Sequence, residues 1–109
     1  MKVIYNKLVR DRIPEIIAGK GKDFKTAVYD QATYHKALRQ KIIEEATEVA
    51  EAETKSDLIR EISDLYEVID ALLAAHNIAK EEVLTLQETQ RINRGGFEHK
   101  LKLLWVEDE

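Results

Sequence analysis

Four acidic side chains carry the strongest chemical signal in this sequence. They form two pairs at i,i+3 spacing, Glu45 with Glu48 and Glu61 with Asp64. At about 100° per residue, Glu45 falls inside the apolar stripe of its helix, close to the phase of Leu38. A carboxylate among core residues costs free energy of desolvation unless its charge has a partner. This position therefore predicts a ligand or a counter-charge.

The second pair repeats the arrangement on the next helix. Glu61 lies in the phase of the apolar residues around it, and Asp64 lies on the same edge of its stripe as Glu48 does on the first helix. The neighbouring carboxylates Glu44 and Glu51 turn toward solvent instead. Each helix therefore carries one acidic pair at the rim of its buried face.

An antiparallel hairpin about the "TKSD" break at residues 54–57 would bring the two pairs together. Glu45 would then face Asp64 and Glu48 would face Glu61, with levels ~4.5 Å apart on helices ~8–10 Å apart. Repulsion and desolvation would raise the pKa values of these carboxyls. A hard divalent cation, Mg²⁺ or Mn²⁺, relieves both effects. The alternatives are that Lys41 neutralises part of the cluster, or that the pairs are solvated.

The surrounding pattern predicts an all-α fold, a helical bundle with short β or extended segments at the N- and C-termini. A short helix is predicted within residues 12–22, with Pro14 in its first turn. A long helix should run from the N-cap Asp30 to about Ala52, and a second long helix should begin at a cap on Ser56 or Asp57 and end near Ala75, before a left-handed Asn77. A further helix is predicted over residues 80–93. Residues 2–5 could form a short strand, and residues 24–30, which alternate weakly, could form a second. Residues 97–106 alternate well enough to predict a strand or an extended tail.

Length and composition indicate one domain spanning residues 1–109. Hydrophobic residues make up 44% and charged residues 35%, as in a folded, helix-rich protein. The chain has no cysteine, which excludes disulfides and thiolate chemistry. No apolar run reaches the roughly 18 residues of a membrane span and no signal-peptide core is present, so we expect no membrane association and a cytoplasmic location.

The charge is unevenly distributed. Residues 1–25 carry seven basic and three acidic side chains, although the whole chain has a formal charge of −4. A basic arm on an acidic body can serve a polyanionic ligand, or it can simply be a solvated surface. The acidic body and an aromatic content of 6% argue against nucleic acid as a partner.

Three motifs carry a resemblance to a known superfamily. "EEATE" at 44–48, followed after twelve residues by "EISD" at 61–64, resembles the EExxE…ExxD signature of the all-α nucleoside-triphosphate pyrophosphatases. The opening "YNKLVRDRIPEII" and the late "RGGF" are similar to its small single-domain MazG-like, phosphoribosyl-ATP pyrophosphohydrolase-like branch. This resemblance implies hydrolysis of the α–β phosphoanhydride of a nucleotide, to a monophosphate and pyrophosphate. A house-cleaning role on non-standard nucleotides is our preference within the family.

The resemblance also implies roles for individual residues. The metal-binding positions of the family fall on the four carboxylates already selected by helical phase, Glu45, Glu48, Glu61 and Asp64, with Mg²⁺ as the cofactor and Mn²⁺ as a substitute. Glu44 matches the first motif position, and its outward phase favours a role in orienting water over a metal contact.

The basic motifs then predict substrate contacts. Asn6, Lys7 and Arg10 are candidates for phosphate or ribose binding, and Arg94 with Gly95 and Gly96 could present charge and backbone N–H groups to a phosphate. Two alternatives stay open. The glycine pair can be a helix stop, and Lys7 or Arg10 can pair with an acidic helix.

The resemblance implies association as a homodimer or homotetramer around the nucleotide site. A helical hairpin with one added helix also buries little in a chain of this length. A different class of function remains as an alternative, namely a catalytically inactive helical interaction or oligomerisation module of the same fold.

Overall fold

The computed structural model describes residues 1–107, and it is all-α. Its helices are α1 (Ile13–Gly19), α2 (Gln31–Glu51), α3 (Lys55–Ala75) and α4 (Lys80–Arg94). The described chain forms two compact units, residues 1–77 and residues from Ile78 onward. The all-α class is confirmed, whereas the single domain stays a prediction.

Helices α2 and α3 pack against each other as a hairpin joined by residues 52–54. The Asp30 side chain accepts the backbone N–H of Thr33 at 2.8 Å, so the N-cap predicted for α2 is confirmed. The prediction that Ser56 or Asp57 caps α3 is wrong. Thr54 takes that position, and its hydroxyl accepts the Asp57 N–H at 3.0 Å. The helix begins earlier than predicted because Thr54, the last residue of the connection, caps its N-terminus.

The hydrophobic interior of the first unit is small. Among residues 1–107, the buried hydrophobic residues are Ala37 and Leu38, both on α2. Helix α3 contributes half-buried side chains such as Leu65 and Leu72 to the same interface. The apolar stripe predicted for α2 is thus buried at Ala37 and Leu38, whereas that of α3 is at most half-buried, and the outer face of α3 leaves Ile59 61% exposed.

Two histidines meet at the open end of the hairpin. The rings of His35 and His76 lie with their centroids 4.3 Å apart. Both Nε2 atoms are buried and lack a hydrogen-bond partner within the described residues. His76 is the C-cap of α3, and Asn77 follows it with φ 55°, the left-handed residue predicted to end this helix.

The predicted β segments are wrong for residues 1–107, in which no strand forms. Residues 2–5 and 97–106 remain irregular, and their apolar side chains are exposed, with Ile4 at 74% and Leu103 at 79%. Weak alternation marks residues that can form a strand. A strand also needs a hydrogen-bonded neighbour, and none of these segments pairs with another.

The second unit contains α4 and the residues that follow it. The Glu82 carboxylate accepts the N–H of Ala79 at 3.0 Å and so stabilises the start of α4. Gly95, with φ 80°, ends the helix and donates its N–H to the Arg91 carbonyl at 2.8 Å. The predicted role of the glycine pair as a helix stop is therefore confirmed. In residues 1–107 no helix is long and apolar enough to cross a membrane.

Replacing Thr54 by alanine tests the cap of α3. Thr54→Ala leaves the Asp57 N–H without its acceptor, and we expect the free energy of unfolding to fall by about 1 kcal/mol. Urea denaturation followed by circular dichroism measures the change. Ser56→Ala is the matched control, expected within about 0.5 kcal/mol of wild type because Ser56 does not cap the helix. Equal losses in the two variants would contradict the assignment.

The His35–His76 contact predicts a pH-dependent stability. Burial lowers the pKa of His76 from its ordinary value of 6.5, and the charges of His35 and Arg39 add to this effect. As pH falls below 6.5, the unfolded chain takes up a proton before the folded one does, so the free energy of unfolding decreases. Urea melts from pH 8 to about pH 5 should show a shallower decline in His76→Asn. His99→Asn, at an exposed histidine, should keep the wild-type slope.

Candidate metal centre

Three carboxylates from two helices converge on one point of the hairpin. Glu45 comes from α2, and Glu61 and Asp64 come from α3. One carboxylate oxygen from each lies within 4.8 Å of the others. Carboxylate oxygens gathered this closely from two helices are a donor set that a hard divalent cation such as Mg²⁺ accepts. The structure therefore brings together three of the four carboxylates predicted to bind metal.

The cluster contains buried acceptor atoms that lack donors. The Glu45 side chain is only 9% exposed and that of Glu61 is 14% exposed. Oε2 of each residue is buried and has no hydrogen-bond partner in the described part of the chain. A buried charged oxygen without a donor is costly, and a bound cation would satisfy it. These two atoms show that the residues present fit a divalent ion.

Glu48, the fourth predicted ligand, lies beside Glu61. A hydrogen bond with the Glu48 side chain raises the pKa of Glu61 above its ordinary value of 4.5, and burial and then the charge of Glu48 add to the rise. Arg60 opposes this rise. In the folded chain the pKa of Glu61 lies above the 4.5 of the unfolded chain. As pH rises past 4.5, the unfolded chain therefore loses the Glu61 proton first, and without a cation the free energy of unfolding decreases until pH passes the pKa of Glu61 in the folded chain. Divalent ions would compete with that proton.

Glu44 belongs to a cationic network next to the cluster. Its Oε1 lies 3.0 Å from Lys7 Nζ and 3.5 Å from Lys41 Nζ. The hydrogen bond from Lys7 lowers the pKa of Glu44, so this carboxylate is ionised. Lys41 also approaches Glu45 Oε1 at 3.6 Å. Lys41 thus neutralises one oxygen of Glu45, which was the alternative to a metal site. The other oxygen of Glu45, Oε2, has no donor in the described chain.

Two cationic side chains from the N-terminal residues reach the carboxylates of α2 and α3. Arg10 donates to Asp64 Oδ1 at 2.9 Å, and Lys7 donates to Glu44 Oε1 at 3.0 Å. Lys7 and Arg10 therefore pair with carboxylates of α2 and α3, which was the alternative to substrate binding. Asn6 precedes them in a left-handed conformation, with φ 46°, and is exposed. Its substrate contact stays a prediction.

The other predicted substrate ligands lie in the second compact unit, at the end of α4. A Cβ on Gly96 would meet the carboxylate at the flexible end of the Glu98 side chain. Glu98 is held there by an ion pair with Arg91. Phosphate binding by Arg94, Gly95 and Gly96 stays a prediction.

One contact near the site escaped the sequence analysis. Arg60 lies 3.5 Å from Glu61 Oε1 and 3.1 Å from Asp57 Oδ1. Both partners lie within three positions of Arg60 on the same helix. The spacing of charges along α3 could therefore have predicted these two ion pairs from the sequence. Arg60 is 65% exposed and neutralises only the outer oxygen of Glu61.

Comparison with known proteins agrees with this geometry. A sequence model of the phosphoribosyl-ATP pyrophosphohydrolase family matches residues 11–90. The chain belongs to this family. The resemblance stated from the sequence motifs is confirmed, and family membership indicates a nucleotide pyrophosphohydrolase. The matched range contains all four carboxylates, whereas Lys7, Arg10 and the glycine pair lie outside it. A search of curated proteins and a search of solved structures each found no match.

The unpartnered oxygen of Glu45 predicts metal-dependent stabilisation. Mg²⁺ bound only to the folded chain raises the free energy of unfolding by about 2.7 kcal/mol at one hundred times its dissociation constant. Glu45→Gln keeps the shape of the side chain and removes its charge, so most of this increase should disappear. Thermal melts with Mg²⁺ and with EDTA measure the difference.

Glu51→Gln provides the control for that measurement. Glu51 lies on the same helix, is exposed and falls outside the cluster. We expect its stabilisation by Mg²⁺ to equal that of wild type. Undiminished stabilisation in Glu45→Gln would remove Glu45 from the metal site.

Proposed function

We propose that this protein is a metal-dependent nucleotide pyrophosphohydrolase. It cleaves the α–β phosphoanhydride of a nucleoside triphosphate, or of a related nucleotide such as phosphoribosyl-ATP, to a monophosphate and pyrophosphate. The observation that carries the proposal is the pair of buried, unpartnered oxygens of Glu45 and Glu61 within the three-carboxylate cluster. The family match over residues 11–90 supplies the reaction class.

Mg²⁺ is the proposed cofactor, and Mn²⁺ is an acceptable substitute. Glu45, Glu61 and Asp64 would hold it, and Glu48, which lies beside Glu61, is the fourth proposed ligand. Carboxylate oxygens are the ligands that both ions prefer. When bound, the metal supplies charge neutralisation on the phosphates and lowers the pKa of a coordinated water.

The side chains around the cluster have distinct tasks in this proposal. Glu44 is ionised and lies next to the cluster, so its carboxylate can accept a hydrogen bond from the attacking water and orient it. Lys7 and Arg10 bind the phosphates of the substrate, since each carries a charge already directed at the acidic group. Asn6 adds a polar contact to phosphate or ribose. Hydrolysis of a phosphoanhydride depends mainly on such positioning and charge stabilisation.

The end of α4 is proposed as a second phosphate contact. Arg94 supplies charge there. The Gly95 N–H already donates to Arg91, so Gly96 is the backbone donor in this proposal. The close approach of Glu98 to Gly96 means that this carboxylate must move aside for an anion.

A homodimer or homotetramer is the proposed state of assembly. Support comes from the first unit, in which Ala37 and Leu38 are the buried hydrophobic residues of the described chain. The outer face of α3 exposes Ile59 and Tyr66 by more than half. Burying such a face against another copy gains about 25 cal/mol per Å² of apolar surface. The cytoplasmic location stays a prediction.

The biological substrate is proposed to be a non-standard or damaged nucleotide, which is a house-cleaning role. The matching family is named for phosphoribosyl-ATP, and that compound is therefore the second substrate to test. The alternative is a catalytically inactive helical interaction or oligomerisation module. The exposed apolar side chains of α3 favour it, whereas the buried charge of Glu45 disfavours it, since a module without a metal has no use for that charge.

A product assay tests the function. The protein is incubated with Mg²⁺ and a panel of common and modified nucleoside triphosphates and phosphoribosyl-ATP, with pyrophosphate and orthophosphate quantified separately. We expect pyrophosphate and a matching monophosphate, because attack at the α–β bond releases both. Activity should fall at least about 100-fold in Glu45→Gln, as expected when a charge-stabilising group is lost.

The controls distinguish this activity from cleavage of a different bond and from an inactive interaction module. EDTA should abolish turnover, and Glu51→Gln should retain it. Orthophosphate with a diphosphate product would mean cleavage of a different bond. Absence of turnover on every substrate, together with absence of Mg²⁺ binding, would favour the interaction module.

A further inference from the structure

The N-terminal arm, residues 5–12, lies across the hairpin at the level of the carboxylate cluster. Lys7 reaches α2 through Glu44 at 3.0 Å, and Arg10 reaches α3 through Asp64 at 2.9 Å. The two contacts are three residues apart in the arm and involve one helix each. The arm therefore bridges the same two helices that supply the cluster.

Charge is the main interaction that holds the arm in this position. Leu8 is its half-buried apolar side chain, whereas Tyr5 is 68% and Val9 40% exposed. The pKa of Lys7 is raised chiefly by its hydrogen bond with Glu44, and the charges of Glu48 and Glu45 add to it. Lys7 thus interacts with the acidic group as a whole. An arm held by charge responds to a change in the charge of that group.

A divalent cation and Arg10 compete for the same carboxylate. Asp64 contributes an oxygen to the three-residue cluster and also accepts from the Arg10 guanidinium. A cation in the cluster withdraws negative charge from Asp64, which weakens its pair with Arg10. Conversely, a guanidinium in place reduces the affinity of Asp64 for a cation. By thermodynamic linkage, each ligand lowers the affinity of the other by the same factor.

We propose that Arg10 and Lys7 are the resident counter-cations of the metal-free site and hold the arm closed over the carboxylates. Entry of a divalent cation displaces Arg10 from Asp64 and loosens the arm. Phosphates of the substrate then recruit both side chains and close the arm again, over the bound nucleotide. The inference rests on the proposed function, because it assumes that the carboxylates bind a metal.

This arrangement makes an unusual demand on one residue. Arg10 must oppose the binding of Mg²⁺ alone and favour the binding of Mg²⁺ with a polyphosphate. A purely structural anchor would have the same sign of effect on both ligands, because its loss would disorder the site. A solvated surface ion pair would affect neither ligand. Opposite signs are therefore specific to the exchange.

Isothermal titration calorimetry of Arg10→Gln tests the exchange. Without its competitor, Asp64 should bind Mg²⁺ about two- to fivefold more tightly than in wild type, as expected for loss of a partly exposed ion pair. In saturating Mg²⁺, pyrophosphate should bind at least about tenfold more weakly, since a charge-assisted hydrogen bond to phosphate is lost. Weaker or unchanged Mg²⁺ binding would overturn the proposal.

Arg12→Gln is the matched control. It removes the same charge from the same arm, but Arg12 pairs with Glu15 at 2.9 Å and not with the cluster. Any general effect of net charge on Mg²⁺ binding should appear equally in both variants. The increase specific to Arg10→Gln measures the competition, and equal changes in the two variants would overturn it.

The motion of the arm has its own readout. The chain contains no cysteine, so Val9→Cys carries a single nitroxide label on the arm. Its electron paramagnetic resonance spectrum should show greater mobility after Mg²⁺ is added and lower mobility after pyrophosphate follows. In the Arg10→Gln background the label should be mobile before Mg²⁺. A spectrum that does not respond to Mg²⁺ would overturn displacement of the arm.

The same titrations separate failure of this inference from failure of the proposed function. Mg²⁺ binding in wild type that is lost in Glu45→Gln, with no change in Arg10→Gln, would retain the metal site and reject the exchange. Absence of Mg²⁺ binding in wild type would reject both.

Discussion

The first unit must accommodate two carboxylates, Glu45 and Glu61, between α2 and α3. The rest of that unit depends on how their charge is compensated. Each places one buried oxygen where the described chain offers no donor. Nearby cations compensate only in part, with Lys41 beside the cluster and two further cations reaching it from the N-terminal arm. A hairpin stabilised by apolar contacts alone would have no such charge. Its retention fits a site for a ligand that carries more positive charge than one lysine.

The helix caps determine where those carboxylates lie. Asp30 and Thr54 establish the first residues of α2 and α3, and residues 52–54 then set the register between the two helices. A shift of one residue in either helix would rotate its side chains by about 100°. Glu45 would then leave the interface, and Asp64 would no longer approach it. Small local hydrogen bonds therefore control the geometry of the carboxylate cluster.

The small apolar interior has a consequence for function. With few buried hydrophobic side chains in the first unit, much of its free energy of folding must come from the contacts between α2 and α3. A cation bound by carboxylates of both helices would add to the stability of that interface. Binding and folding are therefore expected to be coupled in this protein.

The sequence alone determined the features that depend on neighbours within one turn. Helical phase placed Glu45 in the interface, and Asp30 capped α2, because both follow from local backbone geometry. Tertiary structure decided whether residues 97–106 could find a strand partner, and it decided the partners of Lys7 and Arg10, which lie 37 and 54 residues away. Such pairings depend on which distant groups the packed helices bring within a few ångströms, and no local pattern encodes that distance.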